Sequence, residues 1–221
     1  MAIAFDAFAA GVEDLTAPSW THTPVGTPAA ICVFIGQGID VDVVDGVTYG
    51  GVAMTRFTGG FIEDTAGEAV SVYAYYLVAS IPTGAQTVAV SDTGVRNKRG
   101  VSISFTADRA VVAHSTIASA SGDQANPSLT ISDLPALSAM VVGHLMSGQD
   151  AVTSGAPSAG TELEEYDFGA RTQYTLRSDA ETDGSINVGW TIASDDVAAI
   201  AVAFYETAAA TVKSLAAVGV G

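Results

Sequence analysis

The sequence predicts an all-β chain, an antiparallel β-sandwich or jelly roll over residues 1–206 with a short C-terminal arm over residues 207–221. Three observations carry this. About a dozen short runs rich in Val, Ile, Thr and Ser recur along the chain, with turn residues between them. Several of these runs alternate apolar and polar residues, and a period of two sorts strand side chains onto opposite faces. Long patterns of Leu, Lys and Glu at helical spacing are absent, so nothing supplies the crossover helices of a parallel sheet.

Taken in order, SWTHTP places Trp20 and His22 on one strand face, and ICVFIG follows as an apolar strand holding Cys32 between Ile31 and Val33. In GIDVDVVDGVTYGGVAMT, Ile39, Val41 and Val43 alternate with Asp40 and Asp42, which predicts a half-exposed strand. Asp45-Gly46 then reads as a tight type I′ turn, because Asp-Gly tolerates the two positive φ angles such a turn needs. The same acidic residues do not fit a calcium loop: counted from Asp40, Gly46 arrives one place late and no Glu closes the segment. AVSVYAYYLV, QTVAVS and VSISFT read as strands, with IPTGAQT a connection and RNKR (Arg96, Lys98, Arg99) a solvated loop. The competing reading of RNKR is a docking spot for an acidic neighbour, including another copy of this chain.

Further on, AVVAHSTI, SLTIS, AMVVGHLM, TQYTLR, SINVGWTIA and AAIAVAFYE read as strands, and ASGDQANPS and VTSGAPSAGTE as surface loops. SINVGWTI sends Ile186, Val188, Trp190 and Ile192 to one face; RTQYTLR turns Tyr174 and Leu176 inward and Arg171, Gln173, Thr175 and Arg177 outward. AMVVGHLM and AAIAVAFY are apolar on both sides and suit central strands. The last of these, near Val202 to Tyr205, is expected to pair with a strand from the beginning of the chain. No internal repeat or linker stands out, so a single domain is the economical expectation. In TAAATVKSLAAVGVG, Val212, Leu215 and Val218 step by three, which suggests a short amphipathic helix or arm that packs either on its own domain or on a neighbour.

Composition narrows the function. Of 221 residues, 48% are hydrophobic and 14% charged, enough to build a large core, and the formal net charge is −16 from 24 acidic and 8 basic residues. Such a surface repels nucleic-acid phosphates, so no nucleic-acid partner is expected. Cys32 is the only cysteine, which excludes an intrachain disulfide and a cysteine-based zinc site. MAIAFDAFAAG lacks the basic stretch and apolar run of a Sec signal, and no apolar run reaches the roughly 18 residues of a membrane helix, so a cytoplasmically made chain without membrane insertion is expected.

Catalytic signals are thin. His114 and His144 sit within apolar runs, His22 alternates with Trp20, and each is explained by packing. No nucleophile elbow, zinc-protease helix or glycine-rich phosphate loop is present. TELEEYDFG offers Glu162, Glu164, Glu165 and Asp167, which could serve a glycoside hydrolase only if two stood opposed across a cleft; as neighbours on a strand they read as a charged sheet edge. Tyr73 and Tyr75 share a face and could form a sugar platform, although strand tyrosines commonly pack in the core. No catalytic, cofactor-binding or metal-ligating residue is assigned, and no cofactor is expected.

FDAF, SWTHTP, ICVFIG, VTYGGVAMT, YAYYLV with IPTGAQTVAVS, INVGWTIASDD and AAIAVAFYE, in that order over residues 5–206, resemble the β-sandwich (jelly-roll, lectin-like) modules of bacteriophage virion proteins and bacterial surface proteins. The resemblance implies a non-enzymatic virion structural protein on the particle exterior, as a capsid decoration or a tail or fibre appendage. It would be made in the host cytoplasm, with major capsid or tail proteins and copies of itself as partners. The alternative is a carbohydrate-binding module that recognises a host-surface glycan.

Overall fold

The computed structural model describes residues 2–135, 137–148, 156–167, 171–178, 181–182 and 184–208. These form strands and no helix, consistent with the expected antiparallel sandwich architecture. The C-terminal arm from residue 209 lies outside the described residues.

The N-terminal half holds β1 (Ala4–Ala10), β2 (Ser19–His22), β3 (Ala30–Gln37), β4 (Val44–Tyr49), β5 (Val52–Ala53), β6 (Thr55–Asp64), β7 (Val70–Leu77), β8 (Gln86–Asp92) and β9 (Lys98–Thr106). The C-terminal half holds β10 (Val111–Ala113), β11 (Ala118–Gln124), β12 (Ser128–Ile131), β13 (Ala139–Ser147), β14 (Ala156–Ala159), β15 (Thr161–Asp167), β16 (Thr172–Arg177), β17 (Ile186–Thr191) and β18 (Asp195–Glu206). Each half folds into an inner and an outer sheet. The inner sheets run β1-β9-β3-β7-β6 and β10-β18-β13-β16-β15, with β11 also on β18; the outer sheets run β2-β8-β4-β5 and β12-β17-β14.

The two halves therefore repeat one topology. Replacing β1 by β10 and β11, β2 by β12, β3 by β13, β4 and β5 by β14, β6 by β15, and β7, β8 and β9 by β16, β17 and β18 turns one into the other. Even a single hydrogen bond recurs at the same place: Val90 N donates to Pro18 O at 3.1 Å, and Trp190 N to Pro127 O at 3.0 Å. The sequence trace of this duplication is short, Pro18-Ser19-Trp20-Thr21 against Pro127-Ser128-Leu129-Thr130.

Three cores separate the four layers. Between the inner sheets lie Cys32, Phe34, Val72, Ile103 and Phe105 from one half and Met140, Val142, Ile200, Val202 and Phe204 from the other. Between the N-terminal sheets lie Trp20, Ile31, Val33, Tyr49, Tyr73 and Val88, and between the C-terminal sheets Val141, Leu145, Tyr174, Val188, Trp190 and Ala199. This explains the doubly apolar runs. In β3, β13 and β18 alternate residues enter different cores, so both faces are buried. Burying side chains such as Phe34 or Phe204 contributes about 1.5–3 kcal/mol each, which makes the central core the main bond between the halves.

The inner sheets meet much as two copies do across a two-fold interface. β18 packs on β6, and the counterpart contact, β9 against β15, is made by Arg99 and Glu164. At the centre Phe34 of β3 stacks on His144 of β13 with ring centroids 5.3 Å apart.

Several local expectations change. β18 pairs with β10, β11 and β13 and only packs face-on against β7, so it does not hydrogen-bond to a strand from the beginning of the chain. Gln173 and Thr175 are buried, because the second sandwich covers the face they were expected to present to water. The segment around Asp123 belongs to β11, and β14 forms within the expected surface loop.

Candidate functional site

The acidic stretch after β3 is not a strand. Beyond Gln37 the backbone leaves the ladder, and buried polar side chains satisfy it instead: Gln37 Nε2 donates to Val41 O at 2.8 Å, Ser71 Oγ to Ile39 O at 2.6 Å, and Val43 N donates to Tyr73 Oη at 2.9 Å. Asp45-Gly46 is not the hairpin turn either. Val44 pairs with Asp92 and Gly46 with Ser91, so Asp45 is the extra residue of a β-bulge, while the turn falls at Gly50-Gly51 with φ of 55° and 80°. Two consecutive positive φ angles suit glycine, and the pair joins β4 to β5.

The bulge and the irregular segment form one wall of an open cup of about 440 Å³, lined by Asp42, Val44, Asp45, Gly46, Met54, Arg56 and Tyr75. Arg56 Nη1 donates to both oxygens of Asp42, at 3.0 and 2.8 Å, and both side chains are about 40% exposed. Asp45 is exposed and has no hydrogen bond or ion pair among the described residues. Gly46 leaves space: a β-carbon there would touch only Ser91 Oγ, at 3.5 Å. Tyr75 is buried, with its hydroxyl 3.4 Å from Val44 O. Burial pushes its phenol up, while the Arg56 charge opposes the shift.

Tyr73 and Tyr75 belong to the core between the N-terminal sheets, the commoner fate of strand tyrosines, and with no exposed ring face they do not form a sugar platform. Tyr73 packs on Phe61 at 4.8 Å, and burial raises its phenol pKa. RNKR is also corrected. Arg96 and Asn97 are exposed, whereas Lys98 is fully buried and Arg99 nearly so. Lys98 Nζ pairs with Asp92 at 2.8 Å and donates to the carbonyls of Gly94 and Thr16 at 2.6 and 3.3 Å. Arg99 forms a two-bond fork with Glu164, 2.6 Å on each arm, donates from Nε to Gly11 O at 2.8 Å, and lies 3.8 Å above the Tyr166 ring. The acidic neighbour that RNKR meets is thus largely within the chain.

The carboxylates of β15 lie on an edge strand, as expected, but its register shifts between Glu162 and Glu164. Glu164 turns to Arg99, Glu165 accepts from Tyr174 Oη at 3.3 Å, and Asp167 accepts from Thr172 Oγ1 at 2.8 Å. They do not stand opposed across a cleft.

The histidines have packing roles. His22 Nδ1 lies 2.8 Å from Ser102 Oγ, which also accepts from Trp20 Nε1 at 2.9 Å, so the shared face of SWTHTP is real. Burial lowers the His22 pKa to about 4, against a smaller opposing effect of Asp6. His144 Nδ1 lies 3.0 Å from Thr175 Oγ1; burial, aided by the Arg99 charge, lowers its pKa to about 3. His114 bonds locally to Thr116 and meets the edge of Tyr205. Cys32 is buried, which raises its thiol pKa. Among the described residues no three His, Cys, Asp or Glu side chains converge as a metal site.

No protein-family model matches the chain, and no curated protein matches it.

The cup was only partly legible in sequence. Asp42 and Asp45 belong to the alternating acidic run, whereas Arg56 falls in TRFTGGFIED, which carries no clean two-residue alternation, and Met54 is only the apolar end of VTYGGVAMT. The signal available was Asp45-Gly46 inside a strand-like run, which marks a bulge as readily as a turn.

Proposed function

We propose that this chain is a non-enzymatic bacteriophage virion structural protein, displayed on the particle exterior as a capsid decoration or a tail or fibre appendage. It docks to other virion proteins and to copies of itself. The supporting observation is a set of exposed apolar side chains at one end of the N-terminal sandwich: Val12, Leu15, Val41 and Val95 are 74%, 55%, 51% and 62% exposed. Their loops are tied together, with Arg96 N donating to Leu15 O at 2.7 Å and Thr93 N to Val43 O at 3.0 Å. These side chains are interspersed with Glu13, Asp14, Asp40 and Asp42, so the end offers apolar contact to a partner that also brings basic groups to meet the carboxylates.

The rest of the molecule suits a passive building block. Lys98, Arg99 and Glu164 hold segments of the fold together, and the central core makes a stiff double sandwich. A repeated array lets weak individual contacts suffice. The test is a mass-spectrometric census of virions purified from cells producing the chain, with wild type compared to Leu15→Asp and Val95→Asp. The reading expects wild type in many copies per particle and reduced occupancy for the variants. Absence of the wild-type chain from particles overturns it.

A second reading, a carbohydrate-binding module that recognises a host-surface glycan, is favoured by the polar cup beside the β4 bulge.

A further inference from the structure

The geometry points to the cup formed by Asp42, Asp45, Arg56, Gly46, Met54, Val44 and Tyr75 as a binding site for a neutral polyhydroxylated ligand, a saccharide. The inference deepens the second reading above and moves it from the buried tyrosines to a different set of residues.

Three features lead there. The first is available hydrogen-bonding capacity of both kinds. Arg56 commits Nη1 to Asp42 and also acts on the Tyr75 phenol, and a guanidinium with five N–H donors keeps hydrogen-bonding capacity beyond these partners in a side chain that lines the cup. Asp45 offers an acceptor-only carboxylate with no partner among the described residues. Adjacent hydroxyls of one sugar can donate to such a carboxylate and accept from such a guanidinium at once.

The second feature is the charge balance, which selects against ions. Asp42 and Arg56 largely neutralise each other, and Asp45 remains, so the wall carries a net charge near −1 on a chain of −16. Anions such as phosphate meet that field unfavourably. A small cation meets the Arg56 guanidinium, and no cluster of three metal-ligating side chains lies among the described residues. A neutral ligand faces neither obstacle.

The third feature is construction. A bulge commonly re-aims one side chain out of a ladder, and here the unpaired residue is Asp45. Gly46 next to it neither has a positive φ nor meets crowding atoms, so the fold does not require glycine there, yet its missing side chain keeps the wall open. Met54 and Val44 are buried and only back the wall, so the exposed lining is mostly polar and suits hydroxyl groups, and a volume of about 440 Å³ lies in the range of small-molecule sites.

The test uses the full chain on an array of neutral and sialylated oligosaccharides, followed by calorimetric titration with the best-bound neutral sugar. Asp45→Ala removes a side chain with no internal partner and should melt like wild type; Arg56→Gln is the second variant, and Glu162→Gln on the far edge strand is the control. The expected result is saturable binding of a neutral sugar, weakened at least tenfold by Asp45→Ala and Arg56→Gln and unchanged by Glu162→Gln. No neutral sugar bound, or binding that survives Asp45→Ala in a normally folded protein, overturns the inference. Incorporation into particles, scored in the same variants, reads the docking proposal separately.

Discussion

Lowering the pH from 7.5 to 5.0 should weaken the fold through two buried histidines. His144 and His22 have pKa values of about 3 and about 4, against 6.5 for an unperturbed imidazole. Burial causes both shifts; an imidazolium between the inner sheets or beside Ser102 would lose its water. Because the folded values lie below the unfolded one, this stability is fully present above pH 6.5 and is lost as pH falls toward the folded pKa, as the unfolded chain binds protons that the folded chain does not. At pH 5.0, 1.5 units below the unfolded pKa, the loss is about 2 kcal/mol per histidine and about 4 kcal/mol for the pair. That is a large part of the roughly 5–15 kcal/mol by which domains are stable. The assay is urea unfolding at both pH values for wild type and His144→Gln, which keeps a polar group near Thr175 but does not titrate. The variant will be weaker at pH 7.5, since the stack on Phe34 is gone. Its further loss at pH 5.0 should nevertheless be smaller than that of wild type by about 2 kcal/mol. The acidic residues titrate in both proteins and cancel in the comparison. Equal losses in the two proteins would refute the argument.

Three other outcomes follow from the packing. Glu164→Gln strands the buried Arg99 guanidinium and should destabilise by about 3 kcal/mol, whereas Arg99→Met combined with Glu164→Leu should recover much of it; chemical denaturation of the single and double variants measures the coupling. Gly51→Ala should cost about 1 kcal/mol through its φ of 80° alone, since its β-carbon would meet nothing within 4 Å, and Gly51→Asn should cost less; thermal melts rank the two. Residues 2–108 produced alone expose Phe34, Val72, Ile103 and Phe105 on the inner sheet, so sedimentation should find a homodimer or aggregate, and a stable monomer would contradict the shared central core.

The sequence made some of this visible. The alternation of Ile186, Val188, Trp190 and Ile192 identifies the buried face of β17, and the doubly apolar runs become β3, β13 and β18, the strands shared between cores. The rest was hidden for a physical reason. A period of two tells which residues share a face and says nothing about what covers it, so Gln173 and Thr175 looked like surface until a second sandwich lay over them. RNKR looked solvated because the partner of Arg99 is Glu164, 65 residues away, and Lys98 folds back onto Asp92 and onto backbone carbonyls, which no side-chain pattern encodes. Asp45-Gly46 is compatible with both a turn and a bulge, and the opposing strand decides between them. The duplication leaves little trace in the sequence because each half needs only apolar character at equivalent positions: where one half has Trp20, the other has Leu129.

External display is the claim on which the functional reading turns, and labelling intact particles tests it most directly. Gold-conjugated antibody raised against the folded chain, applied to undisrupted virions and imaged by electron microscopy, should decorate the outer surface at regular positions. Label that binds only after the particles are broken open, or never binds at all, would contradict the account.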